Sequence, residues 1–186
     1  MLFRSATTTF FSAGKIGQAL KFDGVDDYVE LPASSTLIPN NQSFSVALWA
    51  KPTRLSASNH RFITFANGAG LSAFNISYTP ASQSVAFGYR DSGGTNHLNG
   101  AIASSTVGTW FHVVVTYNGT SYLGYVNGIL GTTTNNTIVT LSSDPAAIGA
   151  NTGGTTNFTA GLLDDVRVYN RVLSAQEIQQ LYSMGR

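Results

Sequence analysis

Cysteine is absent from the 186-residue chain, which excludes disulfides and thiolate metal sites and removes the usual sequence mark of an oxidising compartment. Charge is scarce as well: Asp, Glu, Lys and Arg make up 10% of the residues, against roughly 25% in ordinary soluble domains. Ten cationic side chains against nine acidic ones leave a net charge of +1. That balance provides neither a basic stripe for phosphates nor a long-range acidic field, and it excludes nucleic acid and anionic membrane as expected partners. No stretch approaches the roughly 18 apolar residues of a membrane span. Residues 1–17 lack the basic segment, apolar run and small-residue cleavage site of an export signal, so the sequence reads as an excised or mature module. Helical patterns of about 10 to 15 residues between strands are missing too, which argues against parallel βαβ units.

What remains is 42% hydrophobic, 11% aromatic and rich in Gly, Ser, Thr and Asn. This suits a single domain over residues 1–186, with 1–13 as a lead or linker. Short alternating runs at 19–22, 28–31 and 44–52 read as strands, and those at 61–66, 71–78 and 84–90 predict an antiparallel meander, punctuated by turn signals at Asn67-Gly68 and Thr79-Pro80. The run 110–117 is the most strongly β-forming in the chain, and it ends in Asn118-Gly119. Its return strand 121–127 ends in Asn127-Gly128, a second type I′ turn signal. Short runs at 139–141 and 147–149 precede a closing strand over 162–169. Ser174 and Glu177 then form a capping box, with Leu173 able to staple to Ile178, so a short helix should end the chain with Ile178, Leu181 and Tyr182 on its buried stripe. The fold class is therefore all-β: a two-sheet antiparallel sandwich with a short C-terminal helix.

The segments GKIGQALKFDGVDDYVEL, SFSVALWAKP, TWFHVVVTYNG, YVNG and GLLDDVRVYNRVLSAQEIQQLY, in that order, resemble the laminin G-like, concanavalin A-like jelly roll domain of the bacterial type. The resemblance runs from Gly14 onward and implies a jelly roll sandwich used in carbohydrate binding, in adhesion and as an accessory module of large secreted proteins. It also implies a calcium site on the sandwich edge, with Asp164 matching the aspartate that opens the closing strand. The residues give that site an independent argument. Calcium takes about six to eight oxygen ligands, and Asp23-Gly24 offers a carboxylate beside a glycine that can turn its carbonyl inward. The expected structural calcium ligands are Asp23, the Gly24 backbone and Asp164, with Asp27 as an extra one. The alternative is that Asp23, Asp26 and Asp27 cap turns and face water, with Asp165 paired to Arg167 or Arg171.

A sugar site needs an aromatic platform together with amide or guanidinium groups for hydroxyls. Strand alternation places Phe74, Ile76 and Tyr78 inward and Asn75 outward. In the same way it places Val85, Phe87 and Tyr89 inward with Arg90 outward, and Gly124 and Val126 inward with Tyr125 and Asn127 outward. The candidate ligand residues are thus Trp49, Asn75, Arg90, His97, Tyr125 and Asn127, with Arg61 on a rim loop beside His97. Each also has a plain structural reading: Trp49 as a packed sheet residue, Arg90 and Asn127 as turn-closing groups. His112 reads as a structural strand histidine, and no two histidines have zinc spacing.

Catalysis finds little support. Only Glu30 and Glu177 are glutamates, and Glu177 belongs to the capping box. A retaining glycosidase needs two carboxyl groups about 5 to 5.5 Å apart, and no Glu-x-Asp-x-x-Glu strand provides them. A lyase base would be Tyr125 or His97 with Arg90 and Asn75, but no motif holds these together. The sequence expectation is a non-catalytic carbohydrate-binding module of a larger extracellular protein, monomeric, with a structural calcium. An adhesion domain contacting a cell-surface protein is the alternative.

Overall fold

The computed structural model describes residues 2–4, 10–39, 43–54, 59–68, 71–91, 93–98, 102–135 and 141–186. The strands are β1 (Leu2–Arg4), β2 (Phe11–Ala13), β3 (Gln18–Asp23), β4 (Tyr28–Ala33), β5 (Phe44–Pro52), β6 (His60–Ala66), β7 (Ser72–Thr79), β8 (Ser84–Arg90), β9 (Asn96–Leu98), β10 (Ala103–Ser104), β11 (Phe111–Tyr117), β12 (Ser121–Val126), β13 (Ile129–Asn135), β14 (Pro145–Ile148) and β15 (Ala160–Tyr169). A one-turn helix α1 (Ser34–Leu37) follows β4, and α2 (Ala175–Met184) closes the chain. One sheet runs β1, β4, β14, β6, β7, β8, β10, with β9 also on β8; the other runs β13, β12, β11, β5, β15, β3, β2. We call these the first and second sheets. All pairings are antiparallel.

The expected two-sheet sandwich and its terminal helix are therefore present. The expected lead is not a linker throughout: β1 forms an outer strand of the first sheet and β2 of the second. The expected strand at 139–141 falls mostly outside the described residues, although Leu141 is buried in the core.

Alternating residues of both sheets meet in one aromatic-rich core. Tyr122 is its hub, with ring centroids 4.3 Å from Tyr117, 4.7 Å from Tyr89 and 5.5 Å from Phe87. Such offset contacts add specificity to the area that these large side chains remove from water. Helix α2 begins as its sequence dictates. The Ser174 hydroxyl accepts from the Glu177 amide, and a Glu177 carboxylate oxygen accepts from the Ser174 amide. Leu173, Ile178 and Leu181 then seat the helix on Ala47, Val114 and Tyr125, which belong to the outer face of the second sheet. This docking leaves the first sheet's outer face as the one not covered by α2.

A polar cleft on the first sheet

The cleft is built from the alternation of β7 and β8. Phe74, Ile76, Tyr78, Val85, Phe87 and Tyr89 enter the core, so Asn75, Ser77, Ala86, Gly88 and Arg90 take the other face. Register sets Asn75 between Thr64 and Gly88. Gly88 has no side chain, and a Cβ there would lie 2.9 Å from Asn75 Nδ2, so the floor of the cleft is open because this strand position is glycine. Arg61 reaches over from β6: its Nη1 donates to Asn75 Oδ1 at 2.5 Å, and its Nε donates to Asn151 Oδ1 at 3.2 Å. Arg90, Asn96 and His97 line the same hollow, as do Asn59, Leu71 and Ser72; its volume is about 330 Å³.

The walls are held from behind. The Arg90 guanidinium donates to the Gly94 carbonyl. His97 stacks on Tyr89 at 4.9 Å and its Nε2 lies 2.6 Å from Asp91 Oδ2. Asp91 is held below the usual carboxylate range, first by that bond and then by the Thr95 amide. Burial draws the Arg61 guanidinium below its ordinary value, although an arginine remains a cation at neutral pH. The described residues that line the cleft include no aspartate or glutamate. A neighbouring hollow of about 320 Å³ is different, being lined by Tyr28, Glu30, Asp144 and Thr152 around an apolar floor.

Of the six ligand candidates, Asn75, Arg90 and His97 meet here. Arg61 and His97 lie on strands β6 and β9, not on rim loops. Of the other three, Trp49 and Tyr125 belong to the second sheet and Asn127 to the turn between β12 and β13. Trp49 is 1% exposed; its ring stacks 5.7 Å from Tyr182, lies 5.1 Å from His112 and carries the Lys15 ammonium over its face at 5.1 Å. Tyr125 is packed under Leu173, Ile178 and Leu181. Asn127 occupies the left-handed region at φ 52°, and its Oδ1 accepts from the His112 amide at 2.9 Å. Alternation correctly sends Tyr125 outward, but α2 covers that outward face, so neither Trp49 nor Tyr125 is a sugar platform. Gly88, Asn59 and Asn151 were not singled out from sequence. Gly88 had a usable signal, a glycine interrupting a strand of large residues. The asparagines had none, since they reach the cleft from distant loops.

The acidic residues divide in a similar way. The turn from β3 to β4 carries the chain from the second sheet to the first. There one carboxylate oxygen from each of Asp23, Asp26 and Asp27 lies within 4.8 Å of the others. Asp27 is 1% exposed; its Oδ2 accepts from the Asp23 amide at 2.9 Å, while its Oδ1 has no partner. Gly24 sits at φ 82° in this turn. Three hard oxygen donors with one buried acceptor unused fit a calcium ion. Asp164 does not join them. Asp23 pairs with Ala160, and Leu163 with Leu20, which puts Asp164 about four residues, or ~13 Å, along the strand from Asp23. Its carboxylate is already engaged: Oδ2 accepts from the Lys15 and Ile16 amides at 2.7 and 2.8 Å, and Oδ1 from the Asp165 amide at 2.7 Å. The Asp23–Asp164 site expected from the sequence is thus not assembled. Asp165 pairs with Arg167 at 2.8 Å.

Comparison with known proteins agrees with this architecture. No curated protein matches the chain. Among solved structures, domain 4 of AbnA, a GH43 extracellular arabinanase from Geobacillus stearothermophilus solved with arabinotriose, is similar at 23% identity and a TM-score of 0.71, over 92% of this chain and 80% of that one. Trypanosoma rangeli sialidase, solved with the inhibitor DANA, gives 21% and 0.70 over 91% of this chain. The binding domain of Paraclostridial Mosquitocidal Protein 1 gives 13% and 0.74 over 94%. The chain spans 28% of the sialidase and 45% of the toxin domain, so it corresponds to one part of each. At these identities the likeness concerns the fold. The family profile described as the concanavalin A-like lectin/glucanases superfamily matches residues 23–179, and the chain belongs to that family.

Proposed function

We propose that the chain is a non-catalytic carbohydrate-binding domain of a secreted protein, and that its ligand occupies the cleft of Arg61, Asn75, Arg90 and His97. The observation that carries this reading is the donor set: amide and guanidinium groups are held in place by their own hydrogen bonds over a glycine floor, with no carboxylate among the described lining residues. Such a site offers directional donors to hydroxyl and ring oxygens with little reorganisation on binding. The same lack of carboxylates denies it the acid and nucleophile of glycoside hydrolysis. Adhesion through protein contact has less support, because apart from Ile129 and Leu130 at the start of β13 the exposed large apolar residues are spread over separate elements.

The test is affinity electrophoresis through gels containing soluble polysaccharides, with release of reducing sugar followed in parallel. Retardation that is lost in Asn75→Ala without sugar release supports the reading. Product release that disappears in Glu30→Gln would instead make the neighbouring hollow an active site.

A structural calcium belongs to the same proposal, at Asp23, Asp26, Asp27 and the Gly24 carbonyl, without Asp164. When bound, the ion would neutralise three clustered carboxylates and fix the crossing between the sheets. Added calcium should raise the unfolding midpoint of the wild type and not that of Asp27→Asn. Equal midpoints of the wild type in calcium and in chelator would remove the ion from the proposal.

A further inference from the structure

Outside the cleft, Arg54 donates to the Gly24 carbonyl and Arg186 lies over the Tyr182 ring, while two arginines are matched to carboxylates. Arg167 pairs with Asp165 at 2.8 Å and Arg171 with Glu177 at 2.7 Å. The two cleft arginines are not. Arg61 gives its Nε and Nη1 to two neutral amide oxygens, of Asn151 and Asn75. Arg90 gives Nη1 to the Gly94 carbonyl, and its Nε is buried with no acceptor. Asp91 is the carboxylate nearest to them in sequence, and it is engaged by His97 and by the Thr95 amide. Two guanidiniums therefore share one cleft of about 330 Å³ with no negative charge among its described lining residues, in a chain whose net charge is only +1.

Holding two cations together, one of them drawn in from water, is unfavourable unless an anion visits the site. A carboxylate suits these groups best. It is planar, and it accepts paired N–H donors from a guanidinium fork, whose remaining N–H groups are still available on both arginines. We infer that the cleft is selective for an acidic saccharide, one whose sugar carboxylate is received between Arg61 and Arg90 while Asn75 and Asn96 hold its hydroxyls. This inference rests on the reading of the cleft as a carbohydrate site.

The experiment is a titration of the whole chain with matched saccharides: trigalacturonate and its methyl ester, sialyllactose and lactose, and a carrageenan oligosaccharide, which is sulfated but has no carboxyl group. The expected result is binding of at least one carboxylated member, with its uncharged counterpart at least tenfold weaker. Affinity should fall further on raising NaCl from 50 to 500 mM, as expected of charge-assisted contacts open to solvent. Arg90→Gln and Arg61→Gln should each weaken the acidic ligand tenfold or more. Should Arg61→Gln fold poorly, Arg90→Gln alone carries the test, since its guanidinium anchors only a loop carbonyl.

Equal affinity for acidic and uncharged partners, or an affinity unmoved in folded Arg90→Gln, would overturn the acidic class and leave the carbohydrate reading standing. Binding of the sulfated oligosaccharide alone would overturn the carboxylate. Binding of none of these probes would overturn the acidic class, and if the polysaccharide gels also showed no retardation, the carbohydrate reading would fall with it.

Discussion

Replacing Asp164 should destabilise the fold whether or not calcium is present. Its carboxylate is 6% exposed and accepts three backbone amides, those of Lys15, Ile16 and Asp165. Two of these close the turn between β2 and β3, and the third shapes the bulge at which Asp165 takes φ 47°. Hydrogen bonds to a charged acceptor are worth about 1.5 to 3 kcal/mol each. The three do not add in full, because the half-buried turn amides regain water once the carboxylate is gone. Asp164→Ala should therefore cost about 3 kcal/mol, which for a domain of this size lowers the thermal midpoint by roughly 6 to 12 °C. Asp164→Asn should cost less than Asp164→Ala but still about 1 to 2 kcal/mol, because in either orientation its amide nitrogen faces at least one N–H donor: that of Asp165 at Oδ1, or those of Lys15 and Ile16 at Oδ2. Urea and thermal unfolding in calcium and in chelator measure both. If either variant matched the wild type in chelator and fell behind only in calcium, Asp164 would be a metal ligand and the account of three amides would be wrong.

Acid should weaken the fold through its buried histidines. His60 and His112 are both lowered to about 4, mainly by burial and secondarily by Arg54 and Arg167 respectively. The native state keeps them neutral while the unfolded chain takes up protons near pH 6.5, so their contribution is full above that value and is lost as pH falls from 6.5 to about 4. The loss amounts to about 3 kcal/mol for each at most; His112→Gln should flatten the pH dependence of the urea midpoint between pH 7 and 4.5, and an unchanged slope would contradict this. Gly88→Ala puts a methyl group 2.9 Å from Asn75 Nδ2 on the cleft floor, and calorimetry should show at least a tenfold loss of saccharide affinity with a midpoint shift of less than about 3 °C. Tyr125→Ala, by contrast, removes a ring from beneath α2; it should cost about 3 kcal/mol of stability and leave saccharide affinity unchanged. Ser174→Ala removes the acceptor for the Glu177 amide and should cost about 1 kcal/mol by urea titration.

The meander, the Asn127-Gly128 turn and the capping box were legible because each rests on neighbours in sequence; at Asn118-Gly119 the hairpin is present but not as a type I′ turn, since only Gly119 has positive φ and the Asn118 side chain accepts from the Thr120 and Ser121 amides. Alternation assigns a face, Asn127 and Gly128 supply positive φ at 52° and 78°, and Ser174 meets Glu177 within one helical turn. Asn75 and Arg90 were legible as outward groups for the same reason. The strands hidden in the lead were not. Three-residue segments such as β1 and β2 have too few positions to show a period, and their pairing partners lie elsewhere in the chain.

Sequence alone determined the class of fold, the turn chemistry and the start of the last helix, all of them properties of short stretches of backbone and of burial pattern. Tertiary structure decided which outward face stayed open. Docking of α2 buried Trp49 and Tyr125 and left Asn75 and Arg90 to be joined by Arg61, Asn151 and His97. It also separated Asp164 from Asp23, since antiparallel register places groups along a strand by pairing and not by chemical likeness. A site made by contacts between residues distant in sequence depends on how the sheets and the helix pack, and local periodicity carries no record of that packing.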